Sequence, residues 1–283
     1  PLVRNHYLAL LTGSGQAAQT HDQLKAYYLD LAGDTPHNPT PTLADLAPLI
    51  EVVYHACRAG AYDEAHQILN ERIYQISGSQ YYLQQVLGAD EAALNLMRQF
   101  FPDGDTSQEP QVSSDQDKSW ILNAVGMRLM SLGRLATAVP FYERAAKMYL
   151  ELEEWGFAST GYQNLAELNA NLGRLAASAN AAAEALTLAR RAENKRDEQF
   201  SLMKIGTAEH LLGHNAEAEE AFSGAEKLEQ ELSDEQYIYS LGGIWHAEHL
   251  RRVGQADYAR RVTAANLTIC ERNCWANTTS MCH

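Results

Sequence analysis

No run of apolar residues in this 283-residue chain approaches the roughly 20 needed to span a bilayer. Basic residues are scarce: 22 Lys and Arg stand against 36 Asp and Glu, a formal net charge of −14. That excess argues against nucleic acid, whose binding depends on neutralising phosphates with clustered Lys and Arg. It argues equally against an anionic membrane surface. Cysteine is sparse, at Cys57, Cys270, Cys274 and Cys282. No charged-then-apolar export signal is read at the start. Free thiols in a reducing cytoplasm are therefore the expectation. The Asn266-Leu267-Thr268 and Asn277-Thr278-Thr279 glycosylation matches are then coincidental.

Catalytic constellations are missing too. No Gly-rich loop ends in Lys-Ser or Lys-Thr, and Gly13-Ser14-Gly15 lacks the lysine of a phosphate loop. No Ser–His–Asp set can be asserted from the sequence. The acidic runs Glu151–Glu154 and Glu217–Glu220 read as solvated helix faces. His246 and His249 lie three apart on one helix, whereas the zinc-protease arrangement needs four with a Glu between, so structural histidines are expected. Cys270, Cys274, Cys282 and His283 could compose a Cys₃His zinc set, but not at the spacing of a common ribbon or finger. Free cysteines near a frayed terminus are the plainer reading. No enzyme, metal or cofactor is expected.

What the chain does have is a beat of forty residues. Leu132-Gly133-Arg134, Leu172-Gly173-Arg174 and Leu212-Gly213-His214 recur at spacings of 40, and Val253-Gly254-Gln255 follows 41 later. A fixed period of this size signals a solenoid. Small residues stand seven before each glycine, at Gly126, Ala166, Gly206 and Ala247. Others stand five after, at Ala138, Ser178, Ala218 and Ala259, and twelve after, at Ala145, Ala185 and Ala225, but not at Asn266. Nine after, Tyr142 and Phe222 are bulky while Ala182 and Thr263 are not. Small residues let helix axes approach to about 8–10 Å. This spacing resembles the tetratricopeptide repeat. The period exceeds the usual 34 or so, so longer helices are expected. The fold class is all-α, a right-handed superhelical solenoid of antiparallel hairpins with an N-terminal helical arm.

Four regions follow. Residues 1–33 form the arm, with Leu24, Tyr27, Tyr28 and Leu31 spaced for one buried face. Pro36, Pro39 and Pro41 break it. Residues 43–101 hold the first TPR-like unit, hinged on Gly60 and followed by a helix interrupted near Gly88. Residues 102–117 are an acidic, mobile surface loop. Residues 118–283 form a tandem array of about four repeats. Its abrupt end, Trp275 to His283, is expected to be a truncation or a non-repeat tail, since a terminal repeat needs a polar cap.

Three segments carry a wider resemblance. Pro1-Leu2-Val3-Arg4-Asn5-His6-Tyr7 is similar to the stretch after the winged-helix module in STAND proteins, the signal-transduction ATPases with numerous domains. Residues Leu46–Gly60 and Ile121–Val139 resemble the tetratricopeptide sensor of a bacterial branch. The resemblance implies a sensor and autoinhibitory domain that follows an ATPase module. Its partners would be a protein or peptide inducer and that ATPase module, in the parent protein or an adjacent gene product. The absence of an initiating Met fits a piece of something longer. The alternative is a free-standing scaffold or adaptor.

In this repeat class the first helix of each hairpin lines the concave face. The inward positions are Trp120, Asn123, Met127 and Met130 in the first full repeat. The second gives Thr160, Gln163, Glu167 and Ala170, with Asn171 beside them. The third gives Phe200, Met203, Thr207 and His210, and the fourth Leu241, Ile244, Glu248 and Arg251. Trp and Arg favour interface anchoring and Met favours adaptable contact, but each apolar position also suits the core. Lys204 and Asn164 fall one position out of phase, so the two-carboxylate clamp of cochaperone repeats is not expected.

Overall fold

The computed structural model describes residues 16–33, 40–76, 82–272 and 282. Pro1–Tyr7, Gly13-Ser14-Gly15, Cys274, Asn277–Thr279 and His283 lie outside them. No strand occurs among the described residues, and helix hairpins build the solenoid. The chain divides at Leu132–Gly133 into two compact units.

The first unit holds α1 (Ala17–Ala32), α2 (Ala47–Ala59), α3 (Tyr62–Ile68), α4 (Tyr82–Gln85), α5 (Asp90–Arg98) and α6 (Asp115–Ser131). Helix α3 runs on as π-helical turns, Leu69–Tyr74. Val52, Val53, Leu69, Ile73, Phe100 and Ile121 form part of its fully buried core. Arg128 Nη1 meets Asp90 Oδ1 at 3.2 Å, pinning α6 to α5. Burial pushes the Cys57 thiol up to about 12, which leaves it an inert core group.

The arm corrects one expectation. Leu24, Tyr27 and Leu31 are 37%, 61% and 58% exposed, so they are not its buried face. The face of α1 that meets α2 is polar. His21 lies Nδ1 to Nδ1 with His55 at 2.8 Å, Tyr28 stacks on His55, and Lys25 pairs with Glu64 at 2.7 Å. Partners on α2 and α3, not hydrophobicity along α1, choose the face. The 102–117 segment is also fastened. Asp63 accepts from Ser113 N at 2.8 Å and Ser113 Oγ at 2.9 Å, and Val112 is buried. Ser114 then caps α6 by accepting from Asp117 N.

The second unit is α7 (Leu135–Glu151), α8 (Trp155–Asn171), α9 (Leu175–Arg191), α10 (Lys195–Leu212), α11 (Asn215–Leu232), α12 (Ser240–Arg252) and α13 (Ala256–Arg272). Helices α7 to α11 run 17 or 18 residues, which accounts for the long period. Each packs on the next, and α10 also touches α8 and α12. Helices α8, α10 and α12 therefore make one layer, backed by α9, α11 and α13.

The repeat positions explain the packing. A Cβ on Gly206 would lie 2.8 Å from the fully buried Phe222 ring, so only glycine lets α10 and α11 approach this closely. Ser178 Oγ donates to the Ala166 carbonyl at 2.7 Å. Asn266 breaks the small-residue rule for a visible reason. It accepts from Ser240 N at 2.6 Å and donates to Ser240 O at 3.0 Å, holding Ser240 at φ 57° where α12 begins.

Hairpin turns close on left-handed glycines. Gly213 (φ 85°) donates to His210 O and His214 N to Glu209 O, satisfying the last carbonyls of α10. The turns between hairpins place Glu153 and Glu193 in the same conformation at φ 57° and 53°. Left-handed backbone costs a residue with a Cβ about 1 kcal/mol. Gly213→Ala, whose new methyl meets nothing within 4 Å, should thus cost about 1 kcal/mol of stability and lower the urea midpoint accordingly. Glu193→Gly should raise it. Shifts of the same sign in both variants would contradict this assignment of turn strain.

Candidate functional site

The three first helices of the second unit enclose a hollow of about 240 Å³. Helix α8 contributes Ala166, Glu167, Ala170 and Asn171; α10 contributes Met203, Lys204, Thr207 and Leu211; α12 contributes Leu241, Gly242 and Trp245. Ser178 of α9 completes the wall. Alanine at 166 and 170 and glycine at 242 keep the space open. Lys204 Nζ pairs with Glu167 Oε2, and both side chains are about a quarter exposed. The hollow is apolar below with one neutralised ion pair at its side.

Of the inward residues read from the sequence, Glu167, Ala170, Asn171, Met203, Thr207 and Leu241 meet here. Gln163 does not. It is buried, and its amide donates to Ser201 Oγ at 3.0 Å and Asp197 O at 3.1 Å, stitching α8 to α10. His210 is buried against Trp245 and His249, and Phe200 packs on the Met203–Phe222 core cluster. Ile244, Glu248 and Arg251 line a separate hollow of about 580 Å³ between α12 and α13, where Cys282 also lies. Trp120, Asn123, Met127 and Met130 belong to the first unit. They form one half-buried stripe on α6, with Trp120 packed on His66 and Tyr74.

Lys204, Leu211 and Trp245 were missed. The signal for Lys204 was present: Gly206 faces α11, and residues two apart on a helix point nearly opposite ways. The line of inward positions through Met203 and Thr207, which also line the hollow, passed one residue to its side.

Behind this layer lies a titratable cluster. His246 stacks on Phe222, with its Nδ1 3.9 Å from Glu226 Oε1, too far for a hydrogen bond. Tyr258 OH donates to Glu226 Oε2, and His249 Nε2 lies 3.0 Å from Glu219 Oε2. Burial, then the charge of His249, pushes His246 down to about 4. Burial raises the Glu226 carboxyl and the Tyr258 phenol, the latter further through its bond to Glu226. Among the described residues no cluster of three His, Cys, Asp or Glu could hold a metal ion. Cys270, one of the zinc candidates, donates to Asn266 Oδ1 at 3.3 Å and lies within hydrogen-bond reach of the Cys282 thiol, while Cys274 and His283 lie outside the described residues.

Two solved structures share the architecture. One is BtubC (BKLC) from P. vanneervenii, with a TM-score of 0.54 at 20% identity, covering 78% of this chain and 89% of that one. The other is a Rap protein complexed with Competence and Sporulation Factor, with a TM-score of 0.55 at 15% identity, covering 98% and 84%. At such identities they establish the fold: an all-α, TPR-like repeat protein. No protein-family profile and no curated protein matches the chain. Among the described residues no helix is long and apolar enough to cross a membrane.

His246 gives a pH prediction. Its folded-state value lies below the unfolded value, so below about pH 6.5 the unfolded chain takes up the proton first and stability falls toward pH 4. His246→Phe keeps a ring on Phe222 and removes this loss. Between pH 7 and 4 the stability gap between wild type and variant should change by up to about 3 kcal/mol, read from urea melts. A gap independent of pH would show that His246 does not titrate in the fold.

Proposed function

We propose that this chain is a protein-binding module that takes an extended segment of a partner along the inner layer α8, α10 and α12, and that it acts by binding and not by catalysis. The observation that carries the reading is the hollow shared by three successive first helices. It is concave, apolar and bordered by a few polar groups, the usual make-up of a recognition site. A solenoid supplies such a surface without any further device. The likeness to a Rap protein solved with a bound factor supports the same use of the fold.

The free-standing scaffold fits better than a sensor tied to an ATPase. In the Leu46–Gly60 segment that resembles STAND sensors, Leu46, Leu49, Val52, Val53, Ala56 and Cys57 are all buried. Their pattern therefore reports helix packing, which any helical repeat needs.

A photo-crosslinking amino acid at Asn171, on the rim, should capture a partner from the host lysate. The same group at the exposed outer position Glu220 should not. Equal capture from both, or capture from Glu220 alone, would overturn the inner-face assignment.

A further inference from the structure

Resting on that reading, the geometry points to a particular ligand: we propose that the α8–α10–α12 hollow holds one large apolar side chain of an extended peptide, whose adjacent basic residue pairs with Glu167.

Size is the first argument. Sites for drug-sized molecules occupy about 300–1,000 Å³. At about 240 Å³ this hollow is smaller, on the scale of one anchoring side chain. Its floor sets the chemistry of that side chain. Ala170, Met203, Leu241 and Trp245 offer mostly carbon and a thioether, with the Trp245 indole N–H as their one donor, and Thr207 has spent its hydroxyl proton on Met203 O at 2.9 Å. A polar anchor would lose its water and find little in exchange.

Charge decides the flank. Within the hollow Glu167 and Lys204 neutralise each other, so a ligand charge must exchange with one of them. The whole chain carries −14, which draws cations toward it and repels anions. A peptide arginine presents two parallel donors to a carboxylate, a geometry that the single ammonium of Lys204 cannot match. Lys204 stands on a flexible stem and is already partly exposed, so it can leave Glu167 for water. A peptide carboxylate would have to displace Glu167 while opposed by the net charge.

The test uses the full chain and three fluorescent pools of seven-residue peptides. Each has a fixed central Phe followed by Arg, Glu or Gln, with uncharged residues randomised elsewhere. Anisotropy should show the Arg pool binding at least tenfold tighter than the Glu pool. Glu167→Gln, isosteric and partly exposed, should abolish that preference. Ala170→Leu, which fills the hollow from a half-buried position, should weaken the Arg pool at least tenfold with an unchanged melting temperature. Should that variant not fold, Glu167→Gln alone keeps the test decisive. Equal or tighter binding of the Glu pool would overturn the basic flank and leave the inner-face reading standing. Arg-pool binding insensitive to Glu167→Gln would place the peptide elsewhere and overturn the proposal. No saturable binding of any pool would overturn it as well, while crosslinking from Asn171 judges the broader reading separately.

Discussion

Between α10 and α11 there is no room for a methyl group. The absent Cβ of Gly206 leaves the space that the Phe222 ring fills. Similar economy holds between α7 and α8, where a Cβ on Gly161 would sit 3.3 Å from that of Ala146. Close backbone approach of this kind sets the angle at which each hairpin leans on the next. Once α8, α10 and α12 are held side by side, their front faces must form a shared surface. The hollow follows from small residues at 166, 170 and 242 on that surface.

Buried polar groups then fix which residues face which. Glu229, 1% exposed, accepts from Arg196 at 2.9 Å, Gln199 at 2.8 Å and Ser233 Oγ at 2.6 Å. This fully occupied carboxylate joins α10 to the end of α11. Gln163 makes the equivalent tie between α8 and α10. Slipping either helix would strand these groups without partners, at a cost of about 1–3 kcal/mol or more for each. Apolar packing supplies the attraction, and the polar ties define the register.

Much of the fold was legible because it rests on spacing. The glycines at 133, 173, 213 and 254 and the small residues around them state the hairpins directly. Less of the site could be read, because a groove depends on contacts between helices. Gln163 looked like a groove amide, yet its partners Ser201 and Asp197 lie on the following repeat. His210 has the spacing of an inward residue, but Trp245 and His249 enclose it. On the arm, the apolar stripe Leu24–Tyr27–Leu31 misled because His55 and Glu64 offered the opposite face better partners. Periodicity identifies a helix face; the neighbouring element determines whether that face is covered.

Amide hydrogen exchange of the full chain, with and without a bound partner segment, tests the central claim most directly. Binding on the inner layer should slow exchange in 166–171, 203–211 and 241–245, the stretches that line the hollow. The backing helices α9, α11 and α13 should change little. Protection confined to those backing helices, with the inner stretches unaltered, would contradict the account.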